Sequence, residues 1–297
     1  MTEQLIVVDI GGTKTRVATI KNNVVEQHWI FATEKNDAVK TLDEVIKIAN
    51  LLDAKYAAVC MPGPSDFEKG ISLDTPNLRG TWLNFNVKEH LLKNTKLIDI
   101  FFENDANVMA FGNHKAYDLN EKDVTQFFTI STGLGAGLII NNKIFLGANR
   151  YAQEVAKAPT AFDKTNTDLG PGSLEYYVSG SWIEKQAQKQ GLNLSTKEIF
   201  ESYKSNSESK KLIDKGIETL ASTFAIAMSF INPNYFIVGG SVAHYNWWYV
   251  EAAFEMAKSM TTIQQYENVK LLIDKFADDS ALIGLNYWLK DKLEKKY

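Results

Sequence analysis

Three apolar runs in this chain end in a glycine turn, and that recurrence constrains the fold more than any other feature. Residues 5–8 lead into Asp9-Ile10-Gly11-Gly12-Thr13-Lys14, residues 127–130 into Ser131-Thr132-Gly133-Leu134-Gly135-Ala136-Gly137, and residues 235–238 into Gly239-Gly240-Ser241. The first two turns are each followed by another strand-like run, 16–20 and 138–140, and Asn141-Asn142 marks a further hairpin before 143–146. A strand-turn-strand unit therefore opens each half of the chain. This predicts an α/β protein of two domains built to one design.

The remaining pattern fills in that frame. An apolar run at 56–61 is stopped by Pro62-Gly63-Pro64, and one at 97–102 ends at Glu103-Asn104-Asp105. Helical spacing covers 43–52, 106–117, most of 174–231 and an amphipathic stretch at 281–295. The expected division is a smaller domain over 1–116 and a larger one over 117–280. The final helix, 281–297, should pack back on the smaller domain through Leu282, Leu285 and Leu289. A length of 297 residues suits two domains. The net charge of −4, with no basic stripe, excludes an electrostatic footprint for nucleic acid. No apolar run reaches the length of a membrane helix, and no signal peptide precedes the first glycine turn. One cysteine, Cys60, excludes a disulfide framework within the chain and fits a reducing compartment. The expectation is a cytoplasmic protein with no membrane partner.

Phosphate groups need many donors at close range, and glycine lets backbone N–H groups converge without a Cβ in the way. Gly11, Gly12, Gly133, Gly239 and Gly240 are candidates, with Thr13, Lys14 and Thr132 adding donors. Asp9, at a strand end, is a candidate for Mg²⁺ held through water. Each turn alone reads more readily as a plain hairpin. The P-loop and dinucleotide patterns are absent. The set of three, two in matching places, suits a nucleotide held in a cleft. Asp105 reads two ways: as a base that accepts a proton from a sugar hydroxyl, or as the N-cap of the next helix together with Asn104. Glu154 and Glu175 are hydroxyl-binding candidates or solvated surface charges.

These motifs together resemble the ROK family of sugar kinases and repressors, within the actin-like ATPase (ribonuclease H-like) superfamily. The likeness covers nearly the whole chain. It includes Met61-Pro62-Gly63-Pro64, Thr75-Pro76-Asn77-Leu78 with Trp82, Glu103-Asn104-Asp105-Ala106-Asn107, Gly147-Ala148-Asn149, and Asn232-Pro233 ahead of Gly239-Gly240-Ser241. The resemblance implies ATP with Mg²⁺ as cofactor, a hexose substrate and a homodimer. It makes Asp105 the base and assigns Gly63, Asn77, Asn104, Glu154 and Glu175 to the sugar. It assigns Thr13, Lys14, Thr132 and Gly133 to the phosphates, and Gly239 and Gly240 to the adenosine. The Pro-Asn-Leu segment is most similar to the glucokinase branch, with N-acetylmannosamine as the second substrate.

The chain also departs from the family. Where the family has Glu-x-Gly-His, this chain has Glu154-Val155-Ala156-Lys157, and 158–175 lacks the family's three cysteines. Structural zinc favours four Cys or His ligands, and none stands here, so no zinc site is expected. Lys157 is expected near the sugar in place of the histidine, or else as a surface lysine. Gly170-Pro171-Gly172, with Phe162 and Leu169 facing inward, would hold the segment instead. A repressor, with a DNA-binding domain ahead of the motif region, is not the expectation, since the first strand begins near Leu5 and the charge is acidic. A sugar sensor without catalysis is the other non-enzyme alternative.

Overall fold

The computed structural model describes residues 4–160, 166–167 and 169–296, so Phe162 lies outside the described residues. The chain forms two compact units. One contains the residues up to Lys115 together with those from Asp279 onward, and the other is continuous over Ala116–Asp278.

In the first unit, β1 (Leu5–Ile10), β2 (Lys14–Lys21) and β3 (Val24–Ala32) form an antiparallel meander. Its second turn is Asn22-Asn23, both at positive φ, as a tight hairpin with no glycine requires. Helix α1 (Ala38–Leu51) is capped by Asp37, whose carboxylate accepts from the Lys40 N–H at 3.1 Å. Strand β4 (Tyr56–Cys60) runs parallel to β1. Three two-residue strands, β5 (Ser65–Asp66), β6 (Ile71–Ser72) and β7 (Phe85–Asn86), make a small separate sheet. Helix α2 (Val87–Asn94), β8 (Asp99–Glu103) and α3 (Asp105–Ala116) follow. The main sheet has the order β3-β2-β1-β4-β8.

Alternation along β1 sends Ile6, Val8 and Ile10 into a core with Leu42 and Val45 of α1 and Leu91 of α2. Val7 and its neighbour Ala58 belong to the opposite face. The terminal helix, Ser280–Lys296, contacts β1 and β4, and its Leu282, Leu285 and Leu289 are fully buried. Phe101 of β8 meets the Trp288 ring edge-on at 6.3 Å. The terminal helix crosses α3 at a pair of glycines. A Cβ built on Gly284 would lie 2.2 Å from the Val108 carbonyl oxygen, and one on Gly112 would lie 2.6 Å from Gly284 Cα.

The second unit repeats the strand plan. Strands β9 (Thr125–Ile130), β10 (Leu134–Ile140) and β11 (Lys143–Ile144) are antiparallel neighbours. Asn141 and Asn142 both sit at positive φ in the turn the sequence marked. After the short hairpin β12 (Asn166–Thr167) and β13 (Gly170–Pro171) come α4 (Leu174–Val178), α5 (Gly180–Lys189), α6 (Thr196–Glu201) and the long α7 (Ser207–Phe230). Strand β14 (Tyr235–Gly239) lies parallel to β9. Then α8 (Ser241–Tyr245), α9 (Trp247–Lys258) and α10 (Ile263–Tyr266) lead to β15 (Lys270–Ile273), parallel to β14. The order β11-β10-β9-β14-β15 matches that of the first sheet, two antiparallel pairings followed by two parallel ones. Phe128, Phe224, Phe236 and Phe254 pack as a ring cluster in its core, with Phe224 and Phe236 centroids 4.9 Å apart. Among the described residues, no helix is long and apolar enough to cross a membrane.

Candidate active site

Register across the first sheet places Arg16, Asp9, Cys60 and Glu103 in one row. The row lies at the carboxyl ends of the parallel strands, where open α/β sheets bind their ligands. Asp9 accepts from Arg16 Nε at 3.1 Å and from Nη2 at 2.8 Å, both on Oδ2. Arg16 Nη1 also stands 3.8 Å from Asp279 Oδ1 at the return of the chain to this unit. Arg16 was not singled out in the sequence. The hairpin register around Gly11-Gly12 was the available signal, because it makes residues 9 and 16 cross-strand neighbours.

The turn closes by a bond from the Gly11 N–H to the Lys14 carbonyl at 3.0 Å. Gly12 is packed on Asn77, where an added Cβ would sit 3.0 Å from Asn77 Cβ. Asp9, Gly11, Gly12, Cys60, Gly63, Asn77 and Asp105 are among the residues lining one cavity of about 210 Å³. Thr13 lines an adjoining cavity of about 360 Å³ with Gly12, Asn77, Lys35 and Arg79. Lys14 is exposed at the start of β2 and lines neither. Asn77 itself is exposed but held from both sides: Thr75 and Leu78 are buried, and the Thr75 hydroxyl accepts from the Asn77 N–H at 3.3 Å. Trp82 is fully buried, with its indole N–H donating to the Glu34 carbonyl at 2.9 Å. It anchors this loop from behind.

The two readings of the helix start separate. Asn104 is the N-cap, its Oδ1 accepting from the Asn107 N–H at 3.3 Å. Glu103 is buried and accepts from the Asn104 N–H and from Asn107 Nδ2, both at 3.0 Å. These bonds fix the strand-to-helix turn. Asp105 is therefore the first helical residue, exposed, with Oδ1 accepting from the Ala106 N–H at 2.9 Å. Burial pushes the Cys60 thiol well above its ordinary value, and the nearby Asp9, Asp105 and Glu103 push it further.

In the second unit the loop 131–134 is pinned on several sides. The Ser131 N–H donates to the Gly133 carbonyl at 2.9 Å, and the Gly180 N–H to the Ser131 carbonyl at 2.8 Å. The Ser181 hydroxyl donates to the Thr132 carbonyl at 2.6 Å. Glu175 is not a solvated surface charge: it is half-buried, Oε2 accepting from the Leu134 N–H at 2.9 Å and Oε1 from the Trp182 indole at 3.2 Å. Nothing local in the sequence marks these bonds, since Glu175 and Leu134 are 41 residues apart.

The segment carrying Glu154 and Lys157 is tied to the same place. The Glu175 N–H donates to the Ala156 carbonyl at 3.0 Å and the Leu174 N–H to the Ala158 carbonyl at 2.8 Å, so Lys157 sits between the two bonded residues. Its side chain is exposed. Glu154 reaches solvent, yet the protein around it desolvates its carboxyl and raises it above the ordinary value. Farther along, the Thr160 N–H bonds the Gly172 carbonyl at 2.6 Å, and the Gly170 carbonyl collects both the Thr167 and Ser173 hydroxyls. Gly170 and Gly172 are at positive φ, as the expected turn requires, and Leu169 is half-buried.

Gly239 and Gly240 each have a packing reason to be glycine. A Cβ on Gly239 would lie 2.5 Å from Asp274 Oδ2, and one on Gly240 would lie 2.4 Å from the Ile130 carbonyl oxygen. Neither lines the large cavity beside them, of about 670 Å³. Ser241, Val242, Tyr245 and Asn246 do, facing Thr196 and Glu201.

Among the described residues, no group of three or more His, Cys, Asp or Glu side chains gathers as a metal-binding set. Asp9 offers one carboxylate, one of whose oxygens already carries the Arg16 guanidinium. That donor set fits Mg²⁺ held through its water shell, since the small ion keeps several waters and takes one or two carboxylates. It does not fit an all-protein cage.

Two units of one strand order, each opening on a glycine turn, define an actin-like ATPase fold. The chain belongs to the ROK family, whose sequence profile matches residues 5–292. It is 25% identical to the N-acetylmannosamine kinase of Haemophilus influenzae, over 98% of this chain and 97% of that one. It is 26% identical to the glucokinase of Pyrobaculum calidifontis, over 97% and 96%. The crystal structure of a ROK hexokinase from Thermus thermophilus superposes with a TM-score of 0.84 at 20% identity, covering 98% of this chain and 99% of that one.

Proposed function

We propose that this protein is an ATP-dependent sugar kinase that transfers the γ-phosphoryl group of ATP to a hydroxyl of a hexose. The observation that carries this reading is the position of Asp105. It shares a cavity with Asp9, Gly12, Gly63 and Asn77, while Asn104 performs the capping that would otherwise explain it. The carboxylate is exposed at the first position of the helix, beside the spare N–H groups of its positive end. It takes the proton of the attacking hydroxyl as the new P–O bond forms and ADP leaves.

Gly63, Asn77, Asn104, Glu154 and Glu175 are the residues the family resemblance gives to the sugar, with Lys157 at the position of the family histidine. Thr13, Lys14, Thr132 and Gly133 serve the phosphates. The adenosine belongs in the cavity lined by Ser241, Val242, Tyr245 and Asn246, which follow Gly239 and Gly240 in the chain. Mg²⁺, when bound through Asp9, supplies charge neutralisation at the phosphates.

The sugar is N-acetylmannosamine on the strength of a kinase for that sugar aligning along nearly the whole chain. Glucose is the second reading, favoured by Thr75-Pro76-Asn77-Leu78 and by the glucokinase relative. The protein works as a homodimer and needs no structural zinc. What supports this reading is that hydrogen bonds converge on the Gly170 carbonyl and join 158–160 to 172–174, tying the segment by its own groups.

A coupled assay of ADP release against a panel of hexoses tests the activity and ranks the sugars. Asp105→Asn tests the base: size and hydrogen bonding are kept, so calorimetry should still detect the sugar. The rate should fall about 10²–10⁴-fold, or roughly 3–5.5 kcal/mol of barrier. A variant that keeps more than about a tenth of wild-type kcat would remove Asp105 from that role. A wild-type protein that binds sugar but turns over none of the panel would favour a sensor.

A further inference from the structure

The carboxylate that the family resemblance assigns to the sugar has both oxygens committed inside the protein. Glu175 Oε2 accepts the Leu134 N–H at 2.9 Å, and Oε1 accepts the Trp182 indole N–H at 3.2 Å. Leu134 closes the loop that carries Thr132 and Gly133. The same carboxylate also sets the space available to that loop, since a Cβ on Gly133 would lie 3.0 Å from Oε2. Five residues on, the start of α5 grips the other side of the loop. The Ser181 hydroxyl donates to the Thr132 carbonyl at 2.6 Å, and the Gly180 N–H to the Ser131 carbonyl at 2.8 Å. Residues 175–181 therefore bond the loop at Ser131, Thr132 and Leu134.

We infer that Glu175 is a positioning residue for the phosphate loop, acting through the Leu134 N–H, with Ser181 as its counterpart on Thr132. The inference rests on the reading of 131–137 as a nucleotide loop. It makes the nucleotide geometry depend on a side chain that lies on the sugar's side of the resemblance. A sugar hydroxyl that competes for Oε2 would loosen the loop, and one that bonds Oε1 would leave it in place.

Simple electrostatics and the positioning role predict opposite signs. Removing a negative charge beside a phosphate loop should tighten the binding of a polyanion. Removing the acceptor that fixes the loop should weaken it. A charge-assisted hydrogen bond is worth more than a neutral one, and the positioning role needs only part of it. Glu175→Gln separates the two cases. Its amide oxygen still accepts from Leu134, whereas its NH₂ group cannot accept from Trp182.

The test is calorimetric binding of a non-hydrolysable ATP analogue with Mg²⁺ to the sugar-free protein, with melting curves alongside. Glu175→Ala should weaken nucleotide binding about tenfold and Ser181→Ala about threefold, while Glu175→Gln stays within about threefold of wild type. Sugar affinity, titrated separately, reports on Glu175 as a sugar ligand and does not enter this outcome. Nucleotide binding as tight as wild type or tighter in Glu175→Ala overturns the proposal. If that variant does not fold, unchanged nucleotide affinity in Ser181→Ala overturns it instead. A wild-type protein that binds no nucleotide would overturn the loop reading itself, a separate failure.

Discussion

Replacing Gly284 by alanine reverses the usual sign of a glycine substitution. Within a helix, alanine is favoured over glycine by about 1 kcal/mol, and Gly284 lies inside Ser280–Lys296. Here the new methyl would sit 2.2 Å from the Val108 carbonyl oxygen and 2.6 Å from its carbon, whereas ordinary contact begins at 3.4 Å. The obstacle is the backbone of α3, not a side chain that can rotate away. The two helices must part by about 1.2 Å. That movement lifts Leu282, Leu285 and Leu289 from full burial against the sheet. Overpacking of this kind costs about 1–3 kcal/mol, and a rigid obstacle belongs at the upper end. With the helix preference subtracted, the expected net loss is about 2 kcal/mol. At a urea m-value of about 2–3 kcal/mol/M, the midpoint followed by tryptophan fluorescence should fall by roughly 0.7–1 M. Turnover should fall as well, because α3 carries Asp105 at its first position. A Gly284→Ala protein as stable as wild type, or about 1 kcal/mol more stable as propensity alone predicts, would refute the close-crossing argument.

Lys157→Ala should raise the KM for the sugar severalfold and leave the KM for ATP nearly unchanged, while equal kinetics would mark it as a surface lysine. Cys60 should resist a disulfide reagent at pH 8 in the native protein and react at once in denaturant, since burial holds its thiol protonated. Rapid native labelling would contradict that burial. Burial works against the ionised Asp99, but Lys88 at 2.8 Å and Lys296 at 3.0 Å outweigh it and lower its pKa. A carboxyl held low stabilises the fold above its unfolded pKa, near 4, and loses that contribution as pH falls through the folded value. Asp99→Asn should therefore be less stable than wild type at pH 7, with the gap closing as the pH falls through the lowered folded value. A gap independent of pH would place the effect in packing. Elemental analysis of the tag-free protein should find less than one zinc per several chains.

What the sequence made legible was local. The glycine turns after β1 and β9, the Asn141-Asn142 hairpin and the leucine spacing of the terminal helix are each written within a few residues. Strand β3 carries the same hairpin signal at Asn22-Asn23, but most of its side chains are exposed. It therefore lacks the apolar alternation that would have announced it. The cap duty of Asn104 could not be separated from that of Asp105 by pattern, because both residue types cap and only the bond to Asn107 decides. The engagement of Glu175 was hidden for another reason. Its partners Leu134 and Trp182 are brought to it by the packing of α4 and α5, and no spacing rule connects them. Gly239 and Gly240 were legible as glycines, but their packing against Asp274 and Ile130 was not.

The return of the chain at Asp279 has a consequence for how the protein is made. The first unit is interrupted: its sheet is translated first and its terminal helix last, with all of Ala116–Asp278 between them. Domains tend to fold as units while synthesis proceeds at about 5–20 residues per second. The inserted unit is continuous and can close as soon as it leaves the ribosome. The strands β1, β2 and β4 must wait on the order of ten seconds or more for Leu282, Leu285 and Leu289 to arrive. Through that interval one apolar face of a half-parallel sheet stands uncovered. The half of the protein that emerges earliest is thus the last to be finished, and it is there that a chaperone would find its substrate in the nascent chain.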